Sequence, residues 1–213
     1  MSALSNLEVD NLSLARGERL LIRGLGFRVA AGQALSLEGP NGVGKTTLLR
    51  ALAGFIEPCS GTILLHTKDG AAVAGSEERS GLVGWLGHQD GAKPQLTAVE
   101  ALGFFTRFYR GGRDIESALA AVGLARARDL PLQYLSAGQK RRLALARLFL
   151  SERPLWLLDE PLAALDTAGK ALAAQFIAAH CQAGGLAIAA THEPLGLDCQ
   201  RLALGSLHDR ISA

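Results

Sequence analysis

Apolar residues recur along this chain with two different periods. Near the N-terminus they fall at every second position: Leu7, Val9, Leu12 and Leu14 make one such run, with Asn11 out of step. Leu20 to Val29 is a second, interrupted by Gly24 and Gly26, and Ala34 to Glu38, Gly61 to His66 and Val83 to Leu86 are shorter runs of strand length. Lys45 to Leu52 switches to helical spacing, with Leu48, Leu49 and Leu52 on one side, and Gly54 and Pro58 stop it. Ala71 to Ser80, rich in small and charged residues, reads as a loop.

The pattern changes again after Leu96. Thr97, with Glu100 three positions on, predicts a capping box and a helix carrying Phe104, Phe105, Phe108 and Tyr109 along one side. These aromatics are expected to be mostly core of a small lobe, with a docking face as the alternative. Gly111-Gly112 breaks the helix, and Asp114 to Val122 predicts a second, ended by Gly123. From Ser136 onward helix and strand alternate: helix to Ser151, strand Leu155 to Leu158, helix Thr167 to Gln182, strand Leu186 to Ala190. That alternation predicts an α/β fold with a parallel sheet. The helical stretch over about 91–135 reads as a lobe inserted into a core over about 1–90 and 136–213.

Length and charge narrow the picture further. A chain of 213 residues makes one domain and buries a core without disulfides or a structural metal. Lys and Arg total 22 against 20 acidic residues, a net charge of +2, which excludes an acidic tail and a uniformly basic nucleic-acid face. Cys59, Cys181 and Cys199 form no Cys-x-x-Cys pair and read as reduced thiols. Met1 to Asp10 lacks the order of a signal peptide, and no apolar run reaches the roughly 18 residues of a membrane helix. Any membrane role is expected to come through a partner.

Three segments carry chemistry. Gly39-Pro40-Asn41-Gly42-Val43-Gly44-Lys45-Thr46 fits G-x-x-x-x-G-K-[ST] between an apolar strand and a helix. Chance alone gives about 0.006 such matches in a chain of this composition. Glycines let backbone N–H groups close on phosphate oxygens, the helix adds its dipole, Lys45 reaches the β/γ-phosphates and Thr46 offers a hydroxyl to Mg²⁺. Leu155 to Glu160 is an apolar strand ending in two acids, where an open α/β sheet places its ligand site. There Asp159 is a candidate Mg²⁺ holder and Glu160 a candidate general base. Leu135-Ser136-Ala137-Gly138-Gln139 opens a helix with a capping box, which local physics reads as an ordinary helix start.

Together the phosphate loop, the LSAGQ segment about 90 residues later and the LLDE strand some 20 beyond resemble the nucleotide-binding subunit of an ABC transporter, over nearly the whole chain. The resemblance implies an α/β P-loop NTPase fold of the ABC ATPase type, with a mixed sheet core, an antiparallel N-terminal β part and a small inserted helical lobe. It also implies ATP and Mg²⁺ as ligands, with Thr47 completing the phosphate loop. It implies that Gln89 touches Mg²⁺ and the attacking water, that His192 contacts the γ-phosphate, and that Ala163 to Asp166 forms the D-loop. It further implies a head-to-tail homodimer closing over two ATP, so that Ser136 and Gly138 serve the nucleotide held by the partner. Two positions depart from the pattern: Ala137 replaces a glycine, and Arg16 falls where an aromatic adenine platform is usual. A guanidinium stacks on a base as a planar cation, so weaker or less base-selective ATP binding is expected.

Trp85 to Glu100 resembles one branch of that family, the haem-exporter ATPases of cytochrome c maturation, as do the short length and LSAGQ followed by Lys140-Arg141-Arg142. Ala101 stands where that branch often has Asn. The branch implies ATP hydrolysis energising a membrane complex of c-type cytochrome biogenesis, in haem export or release of a haem-loaded chaperone. Its site is the cytoplasmic face of the bacterial inner membrane, reached through integral membrane subunits. No nucleic acid and no directly bound haem are expected: His88, His180, Cys181 and Cys59 read as solvated or core residues. Lys140, Arg141, Arg142 and Arg147 read as a solvated or inter-subunit face. The alternatives are the ATPase of another ABC transporter, a soluble nucleic-acid-acting ABC protein, and a P-loop kinase, which leaves LSAGQ, Gln89 and His192 unexplained.

Overall fold

A computed structural model describes residues 3–87, 91–109 and 112–205. Strand β1 (Leu4–Arg16) folds back on β2 (Arg19–Ala30) through Gly17-Glu18, with Gly17 at φ +61°, as a two-residue hairpin turn demands. The break in alternation at Asn11 is a shift of register in β1, where Asn11 adopts φ +48°. A side chain at Gly61 on the neighbouring strand would collide with the Asn11 carbonyl. β4 (Ser60–Thr67) pairs with the other edge of β1, and the short β5 (Ala72–Val73) completes an antiparallel sheet in the order β2-β1-β4-β5.

The segment read as a loop over 71–80 holds more structure than that: β5 and a short helix, α2 (Ser76–Ser80). Helix α2 exists to bury Arg79, whose guanidinium donates to the carbonyls of Ala74, Ile63 and Ala51. Small and charged composition hid a buried cation from the sequence reading.

The second sheet is parallel, in the order β6 (Val83–Leu86), β7 (Leu155–Asp159), β8 (Leu186–Ala190), β3 (Ala34–Glu38), β9 (Gln200–Ala203). Strand β9 has no periodic signal and escaped the sequence reading. Alternation along β7 sends Leu155 and Leu157 to one core and Trp156 and Leu158 to the other. The first core lies between the two sheets and takes in α1 (Lys45–Leu52), whose Leu48, Leu49 and Leu52 are fully buried, each contributing about 2 kcal/mol. The second core is covered by α5 (Ala137–Ser151) and α6 (Thr167–Gln182).

Helices α3 (Ala98–Tyr109) and α4 (Ile115–Ala121) both pack on α5. Thr97 and Glu100 form the expected capping bonds at the start of α3, and Asp114 caps α4 by accepting from Ser117 N–H. The aromatic side of α3 is only half core: Phe105 and Tyr109 are half-buried, while Phe104 and Phe108 face outward. Phe104 and Phe108 are 59% and 69% exposed, because the buried stripe is the small-residue face Ala98, Ala101 and Leu102. Arg141 and Arg147 are the opposite correction. Both are buried, with Arg147 lying over the Phe105 ring at 4.7 Å and donating to the Trp85 carbonyl. No helix among the described residues is long and apolar enough to cross a membrane.

Candidate active site

Three adjacent strands of the parallel sheet end at one edge and deliver the site. Register pairs Asp159 with Ala190 and Leu37 with Ala190, so the residues leaving β3, β7 and β8 emerge side by side. They are the glycine-rich loop, Asp159-Glu160, and Thr191-His192. A parallel sheet gathers distant chain segments at its carboxyl edge in this way.

The loop from Gly39 to Gly44 is shaped by one close approach and by a left-handed turn into α1. A Cβ on Gly39, at φ +143°, would sit 2.5 Å from the Leu204 carbonyl oxygen. Gly44, at φ +115°, is the N-cap of α1 and makes no side-chain cap hydrogen bond. The first turn of α1 therefore faces the cavity with its backbone donors and positive dipole end, the arrangement that binds phosphate. Val43 points the other way, into the core.

A cavity of about 880 Å³ opens over this turn, lined by Pro40, Asn41, Gly42, Gly44, Lys45, Thr46, Thr47, Asp159, Glu160 and His192, and at its outer end by Arg16 and Arg19. Arg50, Trp85 and Gly87 also reach it. Four cations (Arg16, Arg19, Lys45, Arg50) face two carboxylates across it, a balance suited to a polyanion. Lys45 is nearly buried, and its ammonium donates to the carbonyls of Gly39 at 2.6 Å and Pro40 at 3.2 Å. Burial pushes the Lys45 pKa down, and the carboxylates of Glu160 and Asp159 oppose that push.

Lys45 Nζ also lies 3.2 Å from His192 Nε2, which in turn is 3.4 Å from Glu160 Oε1. One ring nitrogen cannot accept from Lys45 and donate to Glu160 at once. The two contacts are alternatives selected by the tautomer, so His192 stands between a cation and a candidate base. Thr46 Oγ1 donates to the Asp159 carboxylate, with 3.1 and 3.0 Å to its two oxygens. A hydroxyl and a buried carboxylate this close are hard oxygen donors that fit Mg²⁺, which takes one or two protein oxygens and fills its shell with phosphate and water. Among the described residues no group of three His, Cys, Asp or Glu forms a cage of its own.

A match to the ABC transporter family model spans residues 11–163. The cytochrome c biogenesis ATP-binding export protein CcmA of Rhodopseudomonas palustris (strain BisB5) is 44% identical over 196 residues, covering 92% of this chain and 96% of the relative. The chain belongs to the ABC transporter family. Among solved structures, an ATP-binding protein from Pyrococcus furiosus described as a putative ABC transporter superposes with a TM-score of 0.81, at 24% identity over 94% of this chain and 98% of that one. A dimeric ATP-binding cassette bound to ADP and Pi superposes at 0.74, with 23% identity and 88% of each chain covered. These likenesses establish the ABC ATPase fold.

Not every expected site residue meets in this ABC cavity. Ser136, Gly138 and Asp166 do not line it. Ser136 caps α5 by accepting from Gln139 N–H while Gln139 Oε1 accepts from Ser136 N–H, a complete capping box. Asp166 caps α6, accepting from Gly169 N–H at 2.7 Å. Gly138 rests on the Ala164 carbonyl, where an added Cβ would approach to 2.9 Å. The start of α5 and the loop before α6 are thus in contact with each other, away from their own phosphate loop. Gln89 and His88 lie outside the described residues. Sequence reasoning missed Arg19, Arg50 and Trp85 as lining residues. Arg19 was findable, since a two-residue hairpin turn places it opposite Arg16.

Proposed function

We propose that this chain is the ATP-hydrolysing subunit of a membrane export complex of c-type cytochrome biogenesis, and that it works as a homodimer closed over two ATP. The observation that carries the reading is the convergence of Lys45, Thr46, Asp159, Glu160 and His192 on one cavity within a chain 44% identical to a CcmA protein. Export in cytochrome c biogenesis follows that relative's name, and the role in haem export or haem-chaperone release follows the resemblance of Trp85 to Glu100 to haem-exporter ATPases. So do the placement on the cytoplasmic face of the inner membrane and the integral membrane partner.

In this reading the turn before α1 binds the β/γ-phosphates through backbone N–H groups, and Lys45 gives up its contacts with Gly39 and Pro40 to neutralise them. Thr46 and Asp159 hold Mg²⁺, which when bound offsets phosphate charge and orients the γ-phosphoryl group. Glu160 takes the proton of the attacking water, and His192 holds that water or the γ-phosphate from the far side. Gln89 is assigned beside the same water. Arg16 takes the base at the cavity mouth. Ser136, Gly138 and Asp166 complete the site of the partner, which accounts for their absence from their own cavity.

Glu160→Gln tests both halves of this proposal. The variant keeps the shape of the side chain and removes its basicity, so hydrolysis falls about 10³-fold while ATP is still bound. Size-exclusion chromatography with ATP then shows a dimer that reverts to monomer when ATP is withdrawn. Wild-type turnover in this variant removes Glu160 as the base. A monomer at saturating ATP removes the closed dimer.

A further inference from the structure

Helix α5 sends one guanidinium directly into the loop that carries Glu160. Arg141 is 7% exposed, and among the described residues its donors reach the main-chain carbonyls of Pro161, Gly87, Asp159 and Glu160, on two separate segments. Nε donates to Pro161 at 3.3 Å and Nη1 to Gly87 at 2.8 Å, while Nη2 donates to Asp159 at 2.5 Å and also to Glu160. Only a planar fork of fixed donors spans such a set; a lysine ammonium is a single point.

Backbone geometry explains why the loop needs holding. Glu160 sits at φ +51°, in the left-handed region, where a residue with a side chain is strained. Its N–H donates to the Ala190 carbonyl at 2.8 Å, fixing one side of the peptide to β8. Arg141 fixes the other side through the carbonyl oxygens of Asp159 and Glu160. Less than one helical turn earlier, Gly138 rests on the Ala164 carbonyl, so the first turns of α5 touch the loop after β7 at two places.

We infer that Arg141 is a positioning residue. It holds the Glu160 main chain in the conformation that aims its carboxylate into the cavity, and it ties that loop, together with the chain leaving β6 at Gly87, to the start of α5. Movement of the α5 start then moves the base. The inference rests on the proposed role of Glu160.

The test measures steady-state ATPase, ATP affinity and thermal unfolding on the full chain for R141Q, R141K, E160Q and the R141Q/E160Q double variant. Expected for R141Q is a cooperative unfolding transition, an ATP Kd within twofold of wild type, and kcat reduced at least tenfold. R141K recovers part of the rate, remaining at least threefold below wild type with unchanged Kd. In the E160Q background R141Q lowers the residual rate less than twofold, because the group it positions is gone. A kcat for R141Q within twofold of wild type overturns the inference, as does an equal proportional loss in both backgrounds or a parallel loss of kcat and affinity. Should R141Q fail to fold, R141K decides alone: a wild-type kcat overturns the inference, and a lowered kcat with unchanged Kd supports it. Wild-type activity in E160Q overturns the reading of Glu160 and this inference with it. Normal Arg141 variants beside an inactive E160Q overturn this inference only.

Discussion

Among the described residues, one histidine stands at each end of the parallel sheet, and the two are treated in opposite ways. At the carboxyl end His192 is exposed and sits between Lys45 and Glu160, among groups whose hydrogen bonds are exchangeable. At the amino end His180 stacks flat on Trp156, 4.0 Å between centroids and 5° between planes, with its Nε2 against the Leu186 carbonyl. Burial pushes its pKa down to about 4, against the carbonyls of Leu186 and Pro154, which favour the charged form. On the proposed function, one end gives its polar groups to a ligand, whereas the other ties them into the packing of the strands. In that reading the same residue type serves chemistry in one place and packing in the other, and only the surroundings decide.

The sharpest break in that contrast is Lys45→Ala. If the carboxyl end is organised for phosphate, removing its buried cation lowers kcat/KM for ATP about 10³-fold and weakens ATP binding. Unfolding stability should change little or rise, because a partly desolvated charge is removed. A large loss of stability with retained ATP binding would make Lys45 a structural residue instead.

At the other end the prediction concerns pH. His180 has a folded-state pKa of about 4, below its ordinary 6.5, so between those values the unfolded chain binds a proton that the folded one refuses. Stability from this group is complete above pH 6.5 and is lost as pH falls toward 4, about 2–3 kcal/mol between pH 7.5 and 4.5. His180→Phe keeps a ring on Trp156 but cannot titrate. Urea unfolding at both pH values should show the gap between variant and wild type shifting by about 2 kcal/mol in favour of the variant on acidification. An unchanged gap would mean that His180 is not held neutral.

These two ends differ equally in how far the sequence reveals them. The phosphate loop, the strand ending in Asp159-Glu160 and the helix Thr167 to Gln182 are legible because each is a local pattern: fixed spacing, an apolar run, one period. What was not legible depends on contacts between distant segments. Arg141 and Arg147 look like part of a charged stripe, and their burial arises only because β6, β7 and α5 meet in the folded chain. Phe104 and Phe108 look like core by composition, yet the narrow small-residue face of α3 is what fits against α5. Strand β9 buries none of its four residues fully and is specified by its pairing with β3 rather than by an apolar pattern of its own. The stacking of His180 on Trp156 likewise joins α6 to β7, and a Cβ on Gly185 would strike the ring.

The smallest expected effect lies at the mouth of the carboxyl-end cavity, where the outer end of the β1–β2 hairpin sets Arg16 directly across from Arg19. Like charges opposed across an antiparallel pair repel, and nothing in the alternation of β1 requires an arginine there. The pair makes physical sense if a planar, electron-rich group or an anion stands between them, one guanidinium stacking as a flat cation and both relieved of mutual repulsion. Arg16→Ala should then raise the Kd for ATP about fivefold, because the stacking surface goes but the phosphate contacts remain. kcat should stay within twofold, since Arg16 is assigned to the base and not to the γ-phosphate. Arg16→Tyr, restoring an aromatic surface, should bind ATP at least as tightly as wild type and discriminate more strongly against pyrimidine nucleotides. Equal ATP affinity for wild type and Arg16→Ala would detach the arginine pair from nucleotide binding and confine the ligand-facing part of this end of the sheet to the residues around Lys45.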